Sequence, residues 1–427
     1  MIKKSIIEWN VERHKKSFSD GTYRGEEGIL RLSPETGRLM GLKVILNTDY
    51  LSAMELYKKA DTHFKAAVEA MSTQKREKIK GEHSERVGEQ ALQYSVAIGN
   101  ANNKIKAYHS MLTAEADERL NDAVCNDLLD KLLEESLKAA SFNLRDALAI
   151  LYNRCRGLDV SSEALNTENV IFVNQVFREV TGSSSEQYLV KFDLDSCENT
   201  KNILDSRWKY GARVLGSRYS PFLKSALEAN ENSLYPVDPL LFIALMKGES
   251  SFNALAVSDV GAAGLTQIMP DTAKSLGMKN VFIPPYFHQA RSLMKQEQEL
   301  RRKAVNLIPK ITQKNIKEYG NRSRELMQNS IDMGRKRMKM FTRYRQELLV
   351  DGADERLDPQ KSIEHGFSYF LKMMNLQEGD MSLALASYNA GPSSVKKHNG
   401  LPPYSETVSF RNRVLRYYSD YLRGANK

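Results

Sequence analysis

The residues with the clearest chemical potential lie around Glu249. Asp238 and Pro239 are a typical N-cap and first-turn residue, so a helix is predicted to begin there. In that helix Leu241, Leu245 and Glu249 are spaced by four and share one face. A carboxyl group at the apolar C-terminal end of a helix should have a raised pKa, which suits a general acid near neutral pH. The alternative is a partly exposed glutamate without a special role, which is common at helix ends.

A glycine-rich segment follows this helix. Gly261 and Gly264 permit tight turns and allow a ligand such as a sugar to approach the main chain. Gln267 offers both donors and acceptors to sugar amides and hydroxyls. Asp259 is the nearby second acid. The segment therefore predicts a binding surface for polar groups beside one clear acid–base candidate.

Two further elements end in polar residues. Tyr388 and Asn389 close a short apolar helix that Gly391 and the proline after it would break, and site residues often project from such ends. By spacing alone, Tyr388 could equally be a core aromatic residue with a satisfied hydroxyl. Glu406 follows a serine N-cap, and the simplest interpretation is a first-turn glutamate that complements the helix dipole.

Three segments, taken in order, resemble the motifs of a known family. They are Glu249–Asn253 continued by Ser258–Pro270, then Ala384–Pro392, and last Leu401–Thr407. They resemble the soluble lytic transglycosylase family, which has a lysozyme-like catalytic domain. The resemblance covers about Pro236 to Tyr421, and a long insertion interrupts it.

The resemblance implies that Glu249 is the catalytic residue, acting first as acid and then as base. It implies contacts between the substrate and a further set of residues: Ser258, Gly264, Gln267, Met269, Tyr388, Asn389 and Glu406. The implied substrate is the peptidoglycan glycan strand. Its bond between N-acetylmuramic acid and N-acetylglucosamine would be cleaved without water or a cofactor, which leaves a 1,6-anhydro sugar.

The chain departs from the family pattern at three places. Thr266 stands where methionine is usual, Ser362 where asparagine is usual, and Phe410 where tyrosine is common. None of the three is the catalytic carboxylate. These departures bear on the details of glycan contact and not on the class of reaction.

Two other functions fit the same pattern. One is a hydrolytic muramidase of the same fold, in which Asp259 or another acid places a water molecule. The other is a non-catalytic subunit of an envelope or virion complex that only binds peptidoglycan, with protein partners held by the N-terminal region. Nucleic acid is not an expected partner, because the basic segment lacks interleaved aromatic residues.

Length and composition predict an all-α protein of 427 residues with 41% hydrophobic and 27% charged residues. We expect a multi-helix N-terminal region over residues 1–220, with amphipathic helices from Asp49 to Leu158, and a lysozyme-like domain over 221–427. The periodicity indicates no repeat of fixed length. The region from Gly28 to Leu46 could hold a short hairpin.

The net charge of +9 lies in one segment. Residues 279–356 contain 18 Lys and Arg against 9 Asp and Glu, so the rest of the chain is near neutral. Good helix formers predict two helices here, roughly Tyr286–Asn306 and Lys310–Val350, separated at Pro309. This basic arm is either a solvated hairpin or a border of the cleft that attracts acidic peptide stems or anionic wall polymers.

The remaining signals are weak. Three separate cysteines and seven histidines show neither CxxC nor HExxH, so no metal site is indicated. The apolar stretch at Ile6 and Ile7 is too short for a signal peptide, and no apolar run approaches the length of a membrane span. The implied substrate nevertheless leads us to expect a periplasmic or cell-envelope location.

Overall fold

The computed structural model describes residues 1–74, 81–140, 143–158, 165–181, 197–230 and 233–425. Within these ranges the chain forms α-helices joined by turns, with three isolated β-bridges and no longer strand. The predicted all-α class is therefore confirmed. No helix in the described part is long and apolar enough to cross a membrane.

The helices of the first half follow the predicted periods and begin at polar caps. Asn47, Asn121 and Asn143 each accept hydrogen bonds from the first-turn amides of their helices. The bounds are α1 Ile2–Ser19, α2 Pro34–Leu39, α3 Thr48–Ser72, α4 Glu82–Ser110, α5 Asp122–Ala139, α6 Leu144–Cys155 and α7 Val170–Thr181. The serine run at 183–185, a pattern typical of a loop, lies outside the described residues.

The helices of the second half build the segment that contains Glu249. Their bounds are α8 Cys197–Leu227, α9 Pro239–Ser250, α10 Pro270–Ser275, α11 Phe287–Val305, α12 Ile316–Asp351, α13 Pro359–Leu376, α14 Met381–Ala390, α15 Pro392–His398 and α16 Ser405–Ala425. Helix α9, which is buried from Pro239 to Met246, lies at the centre and packs against α8 and α16. Its apolar residues from Leu240 to Met246 explain why this helix anchors the core.

The boundary predicted between residues 220 and 221 falls inside α8. Leu215, Tyr219 and Leu223 of this helix are buried in the same core as α9, so α8 packs with the second half. The helix bends at Gly216, where a φ of 68° favours glycine. A second core joins the two halves, because Trp9 and Phe172 pack in the same cluster as Val408.

The basic arm is confirmed as two helices, α11 and α12, separated by a short 3-10 turn that contains Pro309. It is not a free hairpin. Leu326 of α12 packs with Met71 of α3 and Val87 of α4, and Gln328 donates a hydrogen bond to the carbonyl of Met71 at 2.7 Å. The arm therefore has one face buried against the α3–α4 hairpin, and only its outer face can attract ligands.

Candidate active site

Helix α9 delivers Glu249 to the surface from inside the core. Asp238 caps its first turn by accepting a hydrogen bond from the Leu240 amide at 2.8 Å. Gly248 allows α16 to cross closely, since a Cβ there would lie 2.9 Å from a methyl group of Val414. Glu249 comes in the last turn and is partly buried. The carboxyl group thus lies where the apolar helix meets the solvent-facing surface, as the sequence predicted.

The surroundings of Glu249 keep its carboxyl group protonated at neutral pH. Burial raises the pKa of Glu249 to about 8, the positive charge of Arg413 opposes this rise, and the negative charge of Glu406 adds to it. Arg413 is held near the end of α9, where its Nη2 lies 3.4 Å from the carbonyl oxygen of Gly248. A protonated carboxylic acid at pH 7 is what a general acid requires.

The glycine-rich segment forms a tight turn beside α9. Ala263 and Ile268 exchange two backbone hydrogen bonds of 3.2 Å across it. A Cβ on Gly264 would lie 1.7 Å from the carbonyl oxygen of Arg356, and its φ of 84° also favours glycine. The Oγ of Ser258 accepts a hydrogen bond from the Ala262 amide at 2.9 Å. Gly264 and Ser258 thus hold the shape of the turn.

Gln267 occupies the left-handed region with a φ of 49°. Its Nε2 donates to the carbonyl oxygens of Ala256 and Gly264 at 3.0 and 2.9 Å, which leaves Oε1 as the acceptor for a ligand. Met269 is partly buried beside the base of the basic arm, directly before α10. Both predicted residues therefore lie on the same turn as Gly264.

Tyr388 of α14 lies near enough to Glu249 for the two charges to interact. Its hydroxyl donates a hydrogen bond to the carbonyl of Thr266 at 2.8 Å, and its ring packs against Tyr369 and Phe370. Burial raises the pKa of Tyr388 well above its usual value, and the nearby Glu249 carboxylate adds to the rise. Tyr388 is thus both a core aromatic residue with a satisfied hydroxyl and a neighbour of the acid.

Asn389 and Glu406 belong to the same corner. The Oδ1 of Asn389 accepts a hydrogen bond from Thr407 at 2.8 Å, which ties the end of α14 to the start of α16. Glu406 itself is exposed, and its charge acts on Glu249. The structure thus brings Glu249, Tyr388, Asn389 and Glu406 to one corner.

Two of the three departures from the family pattern compensate each other. The Thr266 hydroxyl donates to the Ser362 carbonyl at 2.9 Å, and the two side-chain oxygens lie 3.0 Å apart. Gly366 leaves room for the side chain of Thr266, because a Cβ on Gly366 would lie 2.6 Å from the side-chain atoms of Thr266. Phe410, the third departure, is buried beside Gly248. All three departures are therefore substitutions of buried residues that lie behind the site.

Asp259 is not placed as a partner of Glu249. Its side chain is 90% exposed and forms an ion pair of 2.9 Å with Arg345 of the basic arm. The charged neighbours that act on Glu249 are Arg413 and Glu406 instead. Sequence reasoning missed Arg413, although its position seven residues after Glu406 places both on one face of α16. In the described ranges no three His, Cys, Asp or Glu side chains converge as metal ligands would.

Comparison with known proteins agrees with this geometry. A family model described as "Transglycosylase SLT domain" matches residues 227–322 and 288–407. A transglycosylase of Enterobacteria phage PRD1 is 50% identical over 50 residues, which are 12% of this chain and 19% of the phage protein.

Among solved structures, the chain is similar to the 70 kDa soluble lytic transglycosylase of Escherichia coli. That match has 14% identity and a TM-score of 0.29, and covers 89% of this chain and 64% of the other. The chain thus spans less than two thirds of the length of both relatives. The family match and the placement of its motif residues lead to one conclusion: residues 227–407 of this chain match the transglycosylase SLT domain family.

Proposed function

We propose that this protein is a peptidoglycan lytic transglycosylase with Glu249 as its single catalytic acid and base. The observation that carries the proposal is the position of Glu249 in the last turn of the apolar helix α9, where burial raises its pKa to about 8. The family of residues 227–407 supports a glycan as the substrate. The proposed bond lies between N-acetylmuramic acid and N-acetylglucosamine.

In the first step Glu249 donates its proton to the bridging oxygen. The bond from the muramyl C1 to this oxygen breaks, and the N-acetylglucosamine part leaves with its hydroxyl restored. The acetamido group of the muramyl residue stabilises the positive charge at C1. Arg413 suits this step, because its positive charge stabilises the carboxylate that forms on Glu249.

In the second step the Glu249 carboxylate accepts the proton of the muramyl C6 hydroxyl. The oxygen of that group attacks C1 and closes a 1,6-anhydro ring, so the glutamic acid is regenerated and no water is consumed. A hydrolytic route would need a second carboxylate to place water. The exposure of Asp259 and its ion pair with Arg345 make it a poor candidate.

We further propose that the residues around Glu249 hold the glycan strand. The Oε1 of Gln267 would accept from a sugar amide or hydroxyl, and Asn389, Glu406 and Tyr388 would order the other side of the acid. The glycan strand would also contact the glycine-rich turn, which contains Ser258, Gly264 and Met269. The substrate implies action in the periplasm or cell envelope, with the N-terminal region open to envelope partners.

Mass spectrometry of the products from purified peptidoglycan tests the reaction. The expected products are lighter by one water than those of hydrolysis, because they end in an anhydro sugar. Glu249→Gln should abolish release of these products, and the control Asp259→Asn should release them at the parent rate. Products with reducing muramyl ends, or loss of activity in Asp259→Asn, would favour the hydrolytic alternative.

A further inference from the structure

Two stretches of the chain have the same sequence pattern 236 positions apart. Residues 25–42 and 261–278 both read Gly-x-x-Gly-(Ile/Leu)-x-x-(Leu/Ile)-x-Pro-(Glu/Asp)-Thr-x-x-x-x-Gly-(Leu/Met). Residues 116–120 and 353–357 are both Ala-Asp-Glu-Arg-Leu, 237 positions apart. The helical periodicity gave no sign of these two copies, because copies this distant do not appear as a short hydrophobic period.

The repeated residues build the same hydrogen-bonding network twice. Buried Arg356 pairs with Asp354 at 2.8 Å, contacts the Tyr344 hydroxyl at 2.7 Å, and donates to the carbonyls of Gly261 and Ile268. In the first half, buried Arg119 does the same with its own partners, which are Asp117, Tyr108, Gly25 and Leu32. Each arginine therefore locks its glycine-rich turn to a helical hairpin.

The backbone of the two turns also agrees. A Cβ on Gly28 would lie 1.7 Å from the carbonyl oxygen of Arg119, the same distance as from Gly264 to Arg356. Arg31 has a φ of 50°, and its counterpart Gln267 has one of 49°. Each turn leads into a six-residue helix and then a long hairpin, α3–α4 or α11–α12. The first half thus repeats the turn, arginine lock and hairpin of the transglycosylase domain.

The first copy has no counterpart of the catalytic acid. Helix α1 precedes its turn as α9 precedes the other, but Glu8 and Glu12 of α1 are exposed. The buried carboxylate nearby, Glu27, accepts a hydrogen bond from the Tyr23 hydroxyl and lies 2.6 Å from Nδ1 of His109. These contacts occupy Glu27, so the first copy is not built for acid catalysis.

A cluster of arginines lies instead at the first turn. Arg31, at the position of Gln267, is 8% exposed, and its buried Nε has no hydrogen-bond partner. The pKa of Arg31 is lowered to about 10, mainly by burial and also by the positive charges of Arg156 and Arg13, which Glu26 opposes. Arg31, Arg156 and Arg13 therefore form a cluster of three guanidinium groups. Of the charges that act on Arg31, only that of half-buried Glu26 is a carboxylate.

The neighbours of Arg31 are held in place. Nη1 of Arg156 donates to the backbone carbonyl of Arg31 at 2.6 Å, and its guanidinium lies 5.3 Å from the centre of the Tyr152 ring. The guanidinium of Arg13 lies 5.6 Å from the centre of the Trp9 ring. Aromatic contacts of this kind orient guanidinium groups without using their N–H donors.

We propose that the first copy of the domain is an oxyanion-binding site, in which Arg31, Arg156 and Arg13 bind a carboxylate or phosphate group. Buried donors without an acceptor are costly, and a bound oxyanion would satisfy them with charge-assisted hydrogen bonds. The site lies outside the acid centre at Glu249. The proposal does not depend on the cleavage reaction, because binding is measured without turnover.

Isothermal titration calorimetry of the full chain tests the site. The probes are inorganic phosphate, acetate, and disaccharide-peptides released from peptidoglycan, which carry carboxylates. Arg31→Gln is the main variant, since Gln267 shows that glutamine accepts this backbone conformation. Arg156→Gln is the second, and exposed Arg38→Gln of α2 is a control with the same change in charge. Circular dichroism and thermal unfolding establish that each variant is folded.

Saturable binding of at least one probe is expected, weakened about tenfold or more in both Arg31→Gln and Arg156→Gln and unchanged in Arg38→Gln. Preference for phosphate over the carboxylates, or the reverse, identifies which oxyanion the site takes. Absence of binding for every probe would overturn the proposal. So would equal affinity in the parent and in folded Arg31→Gln or Arg156→Gln.

Discussion

At the scale of single residues, two opposite charges on α16 act on the pKa of Glu249. Arg413 lowers the pKa of Glu249 and Glu406 raises it, against a larger rise caused by burial. Both residues therefore act through the acid, and neither needs to touch the reacting atoms. Their effects can be separated because they have opposite signs.

The first prediction concerns the pH profile of cleavage. Glu406→Gln removes a negative neighbour, so the alkaline limb of activity should move to lower pH by about half a unit. Arg413→Gln removes a positive neighbour and should move the same limb to higher pH. The measurement is the initial rate of product release between pH 5 and about 9. Shifts in the same direction, or none in either variant, would contradict this electrostatic account.

The second prediction concerns stability. The pKa of Glu249 is about 8 in the folded chain and near 4.5 when unfolded, so the folded state binds the extra proton between these values. Stability is therefore lost as the pH rises from about 4.5 to about 8. Glu249→Gln should be more stable than the parent by about 1 to 3 kcal/mol at pH 7 and equal to it at pH 4.

Urea unfolding at the two pH values checks this, and a matched control is Glu378→Gln at a surface turn. A gain for Glu249→Gln that is the same at pH 4 and pH 7 would mean that ionisation of this carboxyl group is not its cause. Loss of activity without any gain in stability would point to a carboxylate that is ionised in the folded chain.

At the scale of elements, the glycine-rich turn depends on an arginine far away in the sequence. Arg356 is fully buried, and its carbonyl fills the space that a side chain on Gly264 would need. The turn, the start of α13 and the base of the basic arm are therefore one rigid unit. A change at Gly264 should disturb all three.

The third prediction compares two glycines of this element. Gly264→Ala should cost more than about 3 kcal/mol, because its Cβ would overlap a backbone oxygen at a positive φ. Gly277→Ala has a similar φ of 92° with open space around it, and should cost only about 1 kcal/mol. Thermal or urea unfolding measures both. Gly28→Ala and Gly41→Ala form the same pair in the first copy, and similar costs for the two members of either pair would contradict the role of the arginine lock.

At the scale of the whole molecule, two related units face each other through their hairpins. The buried side of α12 packs on α3 and α4, whereas its other side carries exposed Lys336 and Lys339. Deleting the arm would uncover apolar surface, so its charge has to be tested by substitution. The exposed face of α12 is positively charged and would attract an acidic peptide stem.

The fourth prediction concerns binding to intact sacculi. Replacing Arg335, Lys336 and Lys339 with glutamine should weaken binding a few-fold at low salt and reduce its dependence on salt, because screening already removes long-range attraction at high salt. A pelleting assay at two salt concentrations measures this. The control replaces exposed Lys58, Lys59 and Lys65 of α3. Equal effects of the two triple variants would show that only net charge matters, and no effect of either would show that the arm is simply solvated.

Much of this protein is determined by local sequence. Caps, prolines and apolar spacing specify the helices, because these signals act within a few turns. The helices of the basic arm were predicted for the same reason. The spacing of Leu241, Leu245 and Glu249 predicted a carboxyl group at the end of an apolar helix, whereas its role as the acid was implied by the family resemblance. The place of Tyr388 and Asn389 at a helix end made them candidates, although spacing alone allowed a core role for Tyr388 equally well.

Only the tertiary structure decided what meets these residues. The effect of Arg413 on Glu249, the bond between Thr266 and Ser362, and the buried face of α12 are contacts between segments far apart in the chain. Neither spacing nor propensity encodes such contacts. The internal repeat is visible in the sequence, but only the structure showed that Arg119 and Arg356 make equivalent hydrogen bonds in the two copies. Local signals specify the helices. The electrostatic environment of a side chain, its burial and its lack of a hydrogen-bond partner, as for Nε of Arg31, depend on how the helices pack.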